Sequence, residues 1–362
     1  MNRILAICTS PDKGGLELYF VKLVNYYHAK NLNITALCRH ESPISKIIDS
    51  PVFCIKKINF INFWFQIIII SKKIKNENIS IIHVSWTKDL LLAVLIKIFS
   101  KRKIDIVYYR QMKITRNKRD LYHRFIYKNI RKVLVITKQL KNDCEKYLPV
   151  SADDIIHLKY GIEIPKIPDQ NKKKSIFKKY NLKDKEFTIG VFSRIEEQKG
   201  QHLVLEALNK INKDNIRLLI VGHCMDKTYL GHLSKMIKSY NLDKRVSFIP
   251  FIESPMELMS FLDLVILPTY EETFGLVVAE SMLMETPVIG SNAGGVPEII
   301  EDHFNGLLFE SKSSASLKDK IVNMYDSEEL RKKVSYNAKV FAMKNYDFQM
   351  HFSNLDRIMD KL

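Results

Sequence analysis

The chain has no stretch long and apolar enough to cross a bilayer as a helix. Its most apolar run, Ile58 to Ile70 (INFINFWFQIIII), falls short of the roughly 20 residues a span needs and is interrupted by asparagine and glutamine. A core helix is the expected reading, with an interfacial anchor as the alternative, since Lys56, Lys57, Lys72 and Lys73 flank the run. Cysteine is sparse: Cys8, Cys38, Cys54, Cys144 and Cys224 make an odd count with no C-x-x-C spacing. That argues against a disulfide framework and a zinc site, and for reduced thiols in the cytosol. Met1-Asn2-Arg3 runs directly into Ile4-Leu5-Ala6-Ile7, so a buried first strand is expected there and no secretory leader. No D-x-D pair stands beside a strand end, so no metal site is expected. There is no helix-turn-helix, RNP or zinc-knuckle pattern either, which weighs against a nucleic-acid-binding protein.

Acid is scarce beside base. Lys and Arg number 57 against 40 Asp and Glu, a net charge of +17, and the excess is uneven. Lys101 to Lys132 alone holds twelve basic residues and two acidic ones, Asp105 and Asp120. A helix is expected over Thr115 to Val133, with Leu121, Tyr122, Phe125, Ile126, Ile130 and Val133 at helical spacing. Its cations suit an anionic membrane surface through 113–132, where each contributes about 1 kcal/mol; an ordinary solvated face is the alternative. At 362 residues, 46% hydrophobic and 27% charged, the chain is long and apolar enough for two globular domains.

The most informative stretch is Asp263 to Ile300. A short apolar strand, Leu264 to Leu267, leads through a polar loop ending in Phe274-Gly275 to a helix, Leu276 to Met284. Glu285-Thr286-Pro287 ends that helix, because proline cannot continue it. A second strand, Val288 to Gly290, enters the loop Ala293-Gly294-Gly295, and a further helix is expected to open with Pro297. Helix starts aimed at strand ends suit a diphosphate. Glu272 in the loop and Glu280 one turn into the helix add acceptors for sugar hydroxyls. The combination suggests a nucleotide sugar; by spacing alone, a surface acid and a helix-start acid favoured by the dipole explain the pair equally well.

ETFGLVVAE (272–280) resembles the E-x7-E motif of retaining GT-B glycosyltransferases, specifically glycosyltransferase family 4. The likeness continues through DLVILPTYEE, TPVIGSNAGGVPEII and EDHFNGLLF. It implies an α/β chain of two Rossmann-like, doubly wound domains facing a cleft. Residues 1–164 would bind the acceptor and 165–345 the nucleotide sugar, and a last helix in 346–362 would pack back on the first domain. Alternating strands and helices along the chain independently predict doubly wound parallel sheets.

Arg194, at the end of the strand Phe187 to Phe192, and Lys199-Gly200, before the next helix, put two cations where a diphosphate leaving group would sit. The resemblance gives both that role, and with Glu272 they form the expected catalytic set. It implies that Glu272 holds sugar hydroxyls beside the amides of Phe274, Gly275 and Leu276, that Glu280 grips the ribose, and that Phe251 lies beside the nucleobase. Gly15, after Gly14, would face the donor phosphates. His83 and Arg110 fall at strand ends on the acceptor or sugar side. Family members commonly carry a histidine where this chain has Tyr109-Arg110, so Arg110 is a candidate clamp for a charged sugar or an acceptor phosphate; a solvent-facing arginine is the alternative, as a core histidine is for His83.

Tyr160-Gly161-Ile162-Glu163 resembles the family's N-G-I-D turn, with Ile164 to Lys174 as the linker beyond it. Glu285 stands where the family has glycine, which implies a different or a strained helix cap. No cofactor is implied beyond the donor, a UDP-sugar being favoured. The implied product is a bacterial envelope glycan such as lipopolysaccharide, built in the cytoplasm or on the inner face of the membrane on a lipid-linked acceptor. A GT-B nucleotide-sugar epimerase is the alternative enzyme.

Overall fold

The computed structural model describes residues 3–49, 52–55, 60–166 and 168–362. Two compact units result, Met1–Lys159 with His351–Leu362, and Tyr160–Met350. Both are built on all-parallel sheets, whose strands are short continuous apolar runs because helices cover both faces.

In the first unit the strands are β1 (Ile4–Cys8), β2 (Ile34–Arg39), β3 (Val52–Ile55), β4 (Ile81–Val84), β5 (Asp105–Arg110), β6 (Ile130–Val135) and β7 (Ile155–His157). Their order is β3-β2-β1-β4-β5-β6-β7, so the winding reverses between β1 and β4. The helices are α1 (Gly15–Ala29), α2 (Phe60–Asn76), α3 (Leu90–Ser100), α4 (Leu121–Lys128) and α5 (Lys138–Tyr147). Right-handed crossovers put α1 on one face, and α2, α3, α4 and α5 side by side on the other.

The second unit begins with α6 (Gln170–Tyr180), β8 (Phe187–Phe192), α7 (Gln201–Asn209), β9 (Ile216–Val221), α8 (Lys227–Ser239), β10 (Val246–Ile249) and α9 (Pro255–Met259). It continues with β11 (Leu264–Leu267), α10 (Leu276–Leu283), β12 (Val288–Ser291), β13 (Leu307–Phe309), α11 (Ser314–Asp326) and α12 (Glu328–Tyr346). The sheet order β10-β9-β8-β11-β12-β13 reverses between β8 and β11. Its core gathers β8, β9 and β11 around Ile189, Leu218 and Ile266 with Leu203, Leu233 and Leu317 from the helices. Burying each such side chain contributes about 1.5–3 kcal/mol. The final helix, α13 (Phe348–Met359), joins the first unit from His351 onward. There Phe352 stacks on Tyr26 of α1 at 4.0 Å, and Asp356 accepts a 2.7 Å hydrogen bond from the Tyr27 hydroxyl.

Several expected boundaries move. The basic helix is only Leu121–Lys128: the Asp120 carboxylate caps it by accepting the His123 amide, and Ile130 already belongs to β6, paired with Ile106. Leu121, Tyr122 and Phe125, expected to face the sheet, are exposed, while Ile126 and Tyr127 are buried. Pro297 starts no helix; Val296–Glu298 is a single 3-10 turn. The linker is shorter than Ile164 to Lys174, because Asp169 caps α6 through the Lys172 amide and the lysine run is helical; Ile167 lies outside the described residues. Lys56, Lys57, Ile58 and Asn59 also lie outside them. The rest of the apolar run belongs to α2, only one side of which is core: Ile67, Ile70 and Ile74 are buried, but Trp64, Phe65, Ile68 and Ile69 are exposed.

Candidate functional site

In the second unit, the loops after β8, β11 and β12 meet at the carboxyl ends of the strands, beside the point where the winding reverses. Backbone contacts lock them together. Gly200 has φ +69°, and a Cβ there would lie 2.1 Å from the Pro268 carbonyl oxygen, so only glycine lets the β8 loop close on the end of β11. The Gln198 carbonyl accepts the Tyr270 amide at 3.0 Å and the Thr269 hydroxyl at 3.2 Å. Gly294, at φ +61°, makes the same kind of approach: its Cβ would meet the Glu272 carbonyl oxygen at 2.1 Å. The Gly295 amide donates to that oxygen at 2.8 Å. The second glycine loop, expected to offer an anion site, instead spends the Gly295 amide on holding Glu272.

The frame brings the expected side chains together. Lys199 Nζ donates to Glu272 Oε2 at 2.7 Å, with both side chains largely covered. Arg194 pairs with Glu196 at 2.9 Å and is more than half exposed. Gly275, with φ +91°, caps α10, and among the described residues the amides of Phe274, Gly275 and Leu276 donate no hydrogen bond. The helix dipole adds positive potential at this point. Glu280 follows one turn into α10, half-buried. The arrangement therefore offers two cations, a helix start and two carboxylates, which suits an anionic ligand that also carries hydroxyl groups.

Three supports here were missed by sequence reasoning. Gln201 is fully buried and donates to Ser193 Oγ at 2.9 Å and to the Arg194 carbonyl at 2.8 Å, fixing the turn that carries Arg194. Tyr160 stacks on Phe274 at 5.9 Å and Tyr346 meets its edge at 5.3 Å, so aromatic packing sets the loop before α10. Burial first, then the neighbouring Glu280, push the Tyr160 phenol up and keep it protonated. His202 bridges Tyr229 and Tyr270 through its two ring nitrogens, at 2.8 and 3.1 Å, and burial lowers its pKa. Only Gln201, in the first turn after a glycine, left a trace in the sequence. Phe251, after β10, has its ring stacked on His223 at 4.9 Å.

The remaining expected residues belong to the first unit. Gly15 opens α1 after β1, and Glu17, itself buried, accepts the Gly14 amide at 3.0 Å, so the helix start already has a carboxylate. His83 is fully buried in β4, and neither ring nitrogen has a partner among the described residues. Burial, then the nearby His351, lower its pKa to about 3. Arg110 is neither a solvent-facing cation nor a free clamp. Only 2% exposed, it donates to the Tyr108 hydroxyl at 3.1 Å and the Lys113 carbonyl at 2.9 Å, which fixes the turn after β5. Among the described residues its Nε, Ser85 Oγ and Gln111 Nε2 are buried without partners, like the His83 ring, so orphaned polar atoms gather at the carboxyl ends of β4 and β5. Asp89, unforeseen, accepts the Thr9 amide at 2.8 Å and the Thr9 hydroxyl, tying the end of β1 to the turn before α3. Burial raises its carboxyl to about 6.

The comparisons with known proteins concern the family and the fold. Residues 13–164 match the family model Glycosyltransferase Family 4, and residues 172–341 match Glycosyl transferases group 1. An uncharacterized glycosyltransferase of Methanocaldococcus jannaschii is 27% identical over 92% of this chain and 91% of its own. The O-antigen biosynthesis glycosyltransferase WclY of Escherichia coli is 32% identical over 52% of this chain; the match spans half the length of that relative. Among solved structures, Anabaena HepE in complex with UDP and glucose superposes with a TM-score of 0.87 at 19% identity, over the whole of both chains. With one family model on each unit and that fold throughout, the chain belongs to the GT-B glycosyltransferases.

Proposed function

We propose that the protein is a retaining glycosyltransferase that moves a sugar from a UDP-sugar to a lipid-linked or lipopolysaccharide glycan in bacterial envelope polysaccharide assembly. One observation carries the reading: the Lys199–Glu272 pair set against the open amides that begin α10. In the structure these two groups neutralise each other. A donor diphosphate would take Lys199 and Arg194 and release the Glu272 carboxylate to accept hydroxyls of the sugar. The exchange replaces one charge-assisted contact with another, so binding does not strand a buried charge.

In this mechanism Arg194, Lys199 and the α10 amides stabilise charge as it develops on the leaving diphosphate. Positive charge from the protein does this without a metal ion. The acceptor hydroxyl attacks on the face the diphosphate leaves, and the phosphate helps to take its proton. Glu272 and Glu280 then bind and orient, and neither forms a covalent bond to the sugar, unlike a glycosidase nucleophile. The orphaned polar atoms at the ends of β4 and β5 suit acceptor hydroxyls. The UDP in the HepE complex, together with O-antigen and capsule relatives such as WclY of Escherichia coli and CapM of Staphylococcus aureus, supports the choice of donor and pathway. The reaction would run in the cytoplasm at the inner membrane face, the cations of 113–132 contributing contact with anionic lipid.

The test is a thermal-shift screen against UDP-, GDP-, ADP- and CMP-sugars with Glu280→Ala beside the wild type. A rise in Tm for the UDP series that is lost in the variant is expected. A rise with another series alone would replace the donor, and none with any would sink the donor site.

A further inference from the structure

Two neighbouring helices of the first unit expose apolar side chains that no described part of the unit covers. On α2 these are Trp64, Phe65, Ile68 and Ile69, and on α3 they are Ile98 and Phe99. Phe65 is 66% exposed. The two groups form one patch, since the Trp64 and Phe99 rings lie 5.9 Å apart. Isolated exposed apolar residues need no explanation, but a contiguous aromatic and isoleucine patch marks a surface with a partner.

The surrounding charge identifies that partner. Neither α2 nor α3 contains a single Asp or Glu, while the exposed Lys72 and Lys75 lie on α2 and the exposed Lys101 and Lys103 come just after α3. Of the two acids just beyond these helices, Glu77 is paired with Lys73 and Asp105 opens β5. A protein partner of ordinary composition does not require a surface of one sign around an apolar centre. A bilayer with anionic headgroups does, taking the rings and isoleucines at the acyl boundary and the lysines among the phosphates. The same sheet face carries α4, where Leu121, Tyr122 and Phe125 are exposed along with Arg124 and Lys128. Apolar groups interleaved with cations thus recur along consecutive helices on one side of the sheet.

We infer that the outer side of α2 and α3, centred on Trp64, Phe65, Ile69 and Phe99, inserts into the interfacial zone of an anionic membrane. The inference rests on the reading of a lipid-linked acceptor, and it assigns the main insertion to these apolar side chains, with the basic segment 113–132 adding charge and the smaller apolar group of Leu121, Tyr122 and Phe125.

The whole chain supplies its own reporter, because it has two tryptophans, Trp64 in the patch and Trp86 outside it. Vesicles of phosphatidylcholine with phosphatidylglycerol, free of any glycan, are mixed with the protein and sedimented. Binding is expected, with tryptophan emission shifted to the blue and quenched by brominated acyl chains. Trp64→Phe should abolish the shift and retain most of the binding. The double variant Phe65→Ser with Ile69→Ser should weaken binding about tenfold or more, as loss of apolar burial implies, with an unchanged melting curve. These positions are exposed, so folding is not at stake. Failure of the wild type to bind would overturn the proposal, as would binding that the double variant leaves intact. A dimer in solution that the double variant splits would also overturn it, by assigning the patch to a second copy of the chain. Transfer to a soluble acceptor analogue is measured separately. Transfer without vesicle binding removes the membrane surface alone, and binding without transfer from any donor removes the glycosyltransferase reading alone.

Discussion

In the unit Tyr160–Met350, the charged side chains at the strand ends meet each other near the surface, Lys199 with Glu272 and Arg194 with Glu196. In the other unit four titratable groups, His83, Asp89, Arg110 and His351, are inside. His83 has no partner among the described residues, His351 is sealed between Tyr19 and the Lys159 carbonyl, Asp89 holds Thr9, and Arg110 holds a backbone turn. One sheet topology thus supports two placements of polar groups. Where the proposed donor would enter, the charges are paired with one another. Where they are locked in, they fix loops and couple folding to pH.

The sharpest way to break this comparison is to remove one of these paired charges. Lys199→Ala is expected to lower kcat by about a hundred- to a thousandfold, the cost of losing one preorganised stabilising group. Its melting temperature should fall far less than the rate, because Glu272, though largely covered, keeps some contact with water once Lys199 is gone. Steady-state kinetics beside a melting curve decide the matter. A large loss of stability with a small loss of rate would make Lys199 a structural residue and erase the distinction between the units.

The second prediction concerns the sealed groups. Burial lowers the pKa of His351 from 6.5 to about 4, so the native state holds it neutral while the unfolded chain takes up a proton near pH 6.5. Stability from this group is complete above pH 6.5 and is lost as pH falls toward 4, on the order of 3 kcal/mol in all. The depressed His83 acts in the same direction. Asp89 acts oppositely: with its carboxyl raised to about 6 from 3.8, it favours the folded state more at the acid end of that range. His351→Gln keeps a donor for the Lys159 carbonyl and an acceptor for the Tyr19 hydroxyl but cannot titrate. Melting curves between pH 7 and 4.5 should therefore fall less steeply for the variant than for the wild type. Parallel curves would show that His351 is not a source of the acid sensitivity.

The same comparison explains what could be read in advance. The second unit was legible because its site is made by backbone: Gly200 and Gly294 mark close approaches, Gly275 marks a helix start, and glutamates recur at fixed distances along one segment. Local sequence carries such information. The parallel sheets were legible for the same reason, as apolar runs separated by helical spacing. The first unit's polar contacts join residues far apart in the chain, Thr9 with Asp89 and Tyr19 with His351, and nothing local announces them. The α4 region misled because spacing alone does not say which side of a helix meets the sheet. Asp120 and the pairing of Ile130 shortened the helix and left Leu121 and Phe125 outside. The apolar run misled in the same way, since both sides of α2 are apolar and only one can face the core.

A smaller effect tests whether strain in the second unit is confined to its support. Glu285 stands just past the end of α10 with φ +61°, the left-handed conformation that costs a residue bearing a Cβ roughly 1–2 kcal/mol. The backbone is held there by the Glu285 amide on the Met282 carbonyl and the Thr286 amide on the Ser281 carbonyl, both at 3.0 Å. The side chain pairs with Lys339 at 2.7 Å on the surface, a contact that water and salt screen. Glu285→Gly removes the strain, loses the weak pair and adds freedom to the unfolded chain, for a net gain of about 0.5–1 kcal/mol. That corresponds to a rise in Tm of about 2 °C. Glu285→Ala keeps the strain and loses the pair, so it should fall slightly below the wild type. Opposite signs for the two variants, with unchanged transfer rates, would place the cost in the backbone and not in the ion pair. Two losses of equal size would give the stabilising role to Lys339 instead.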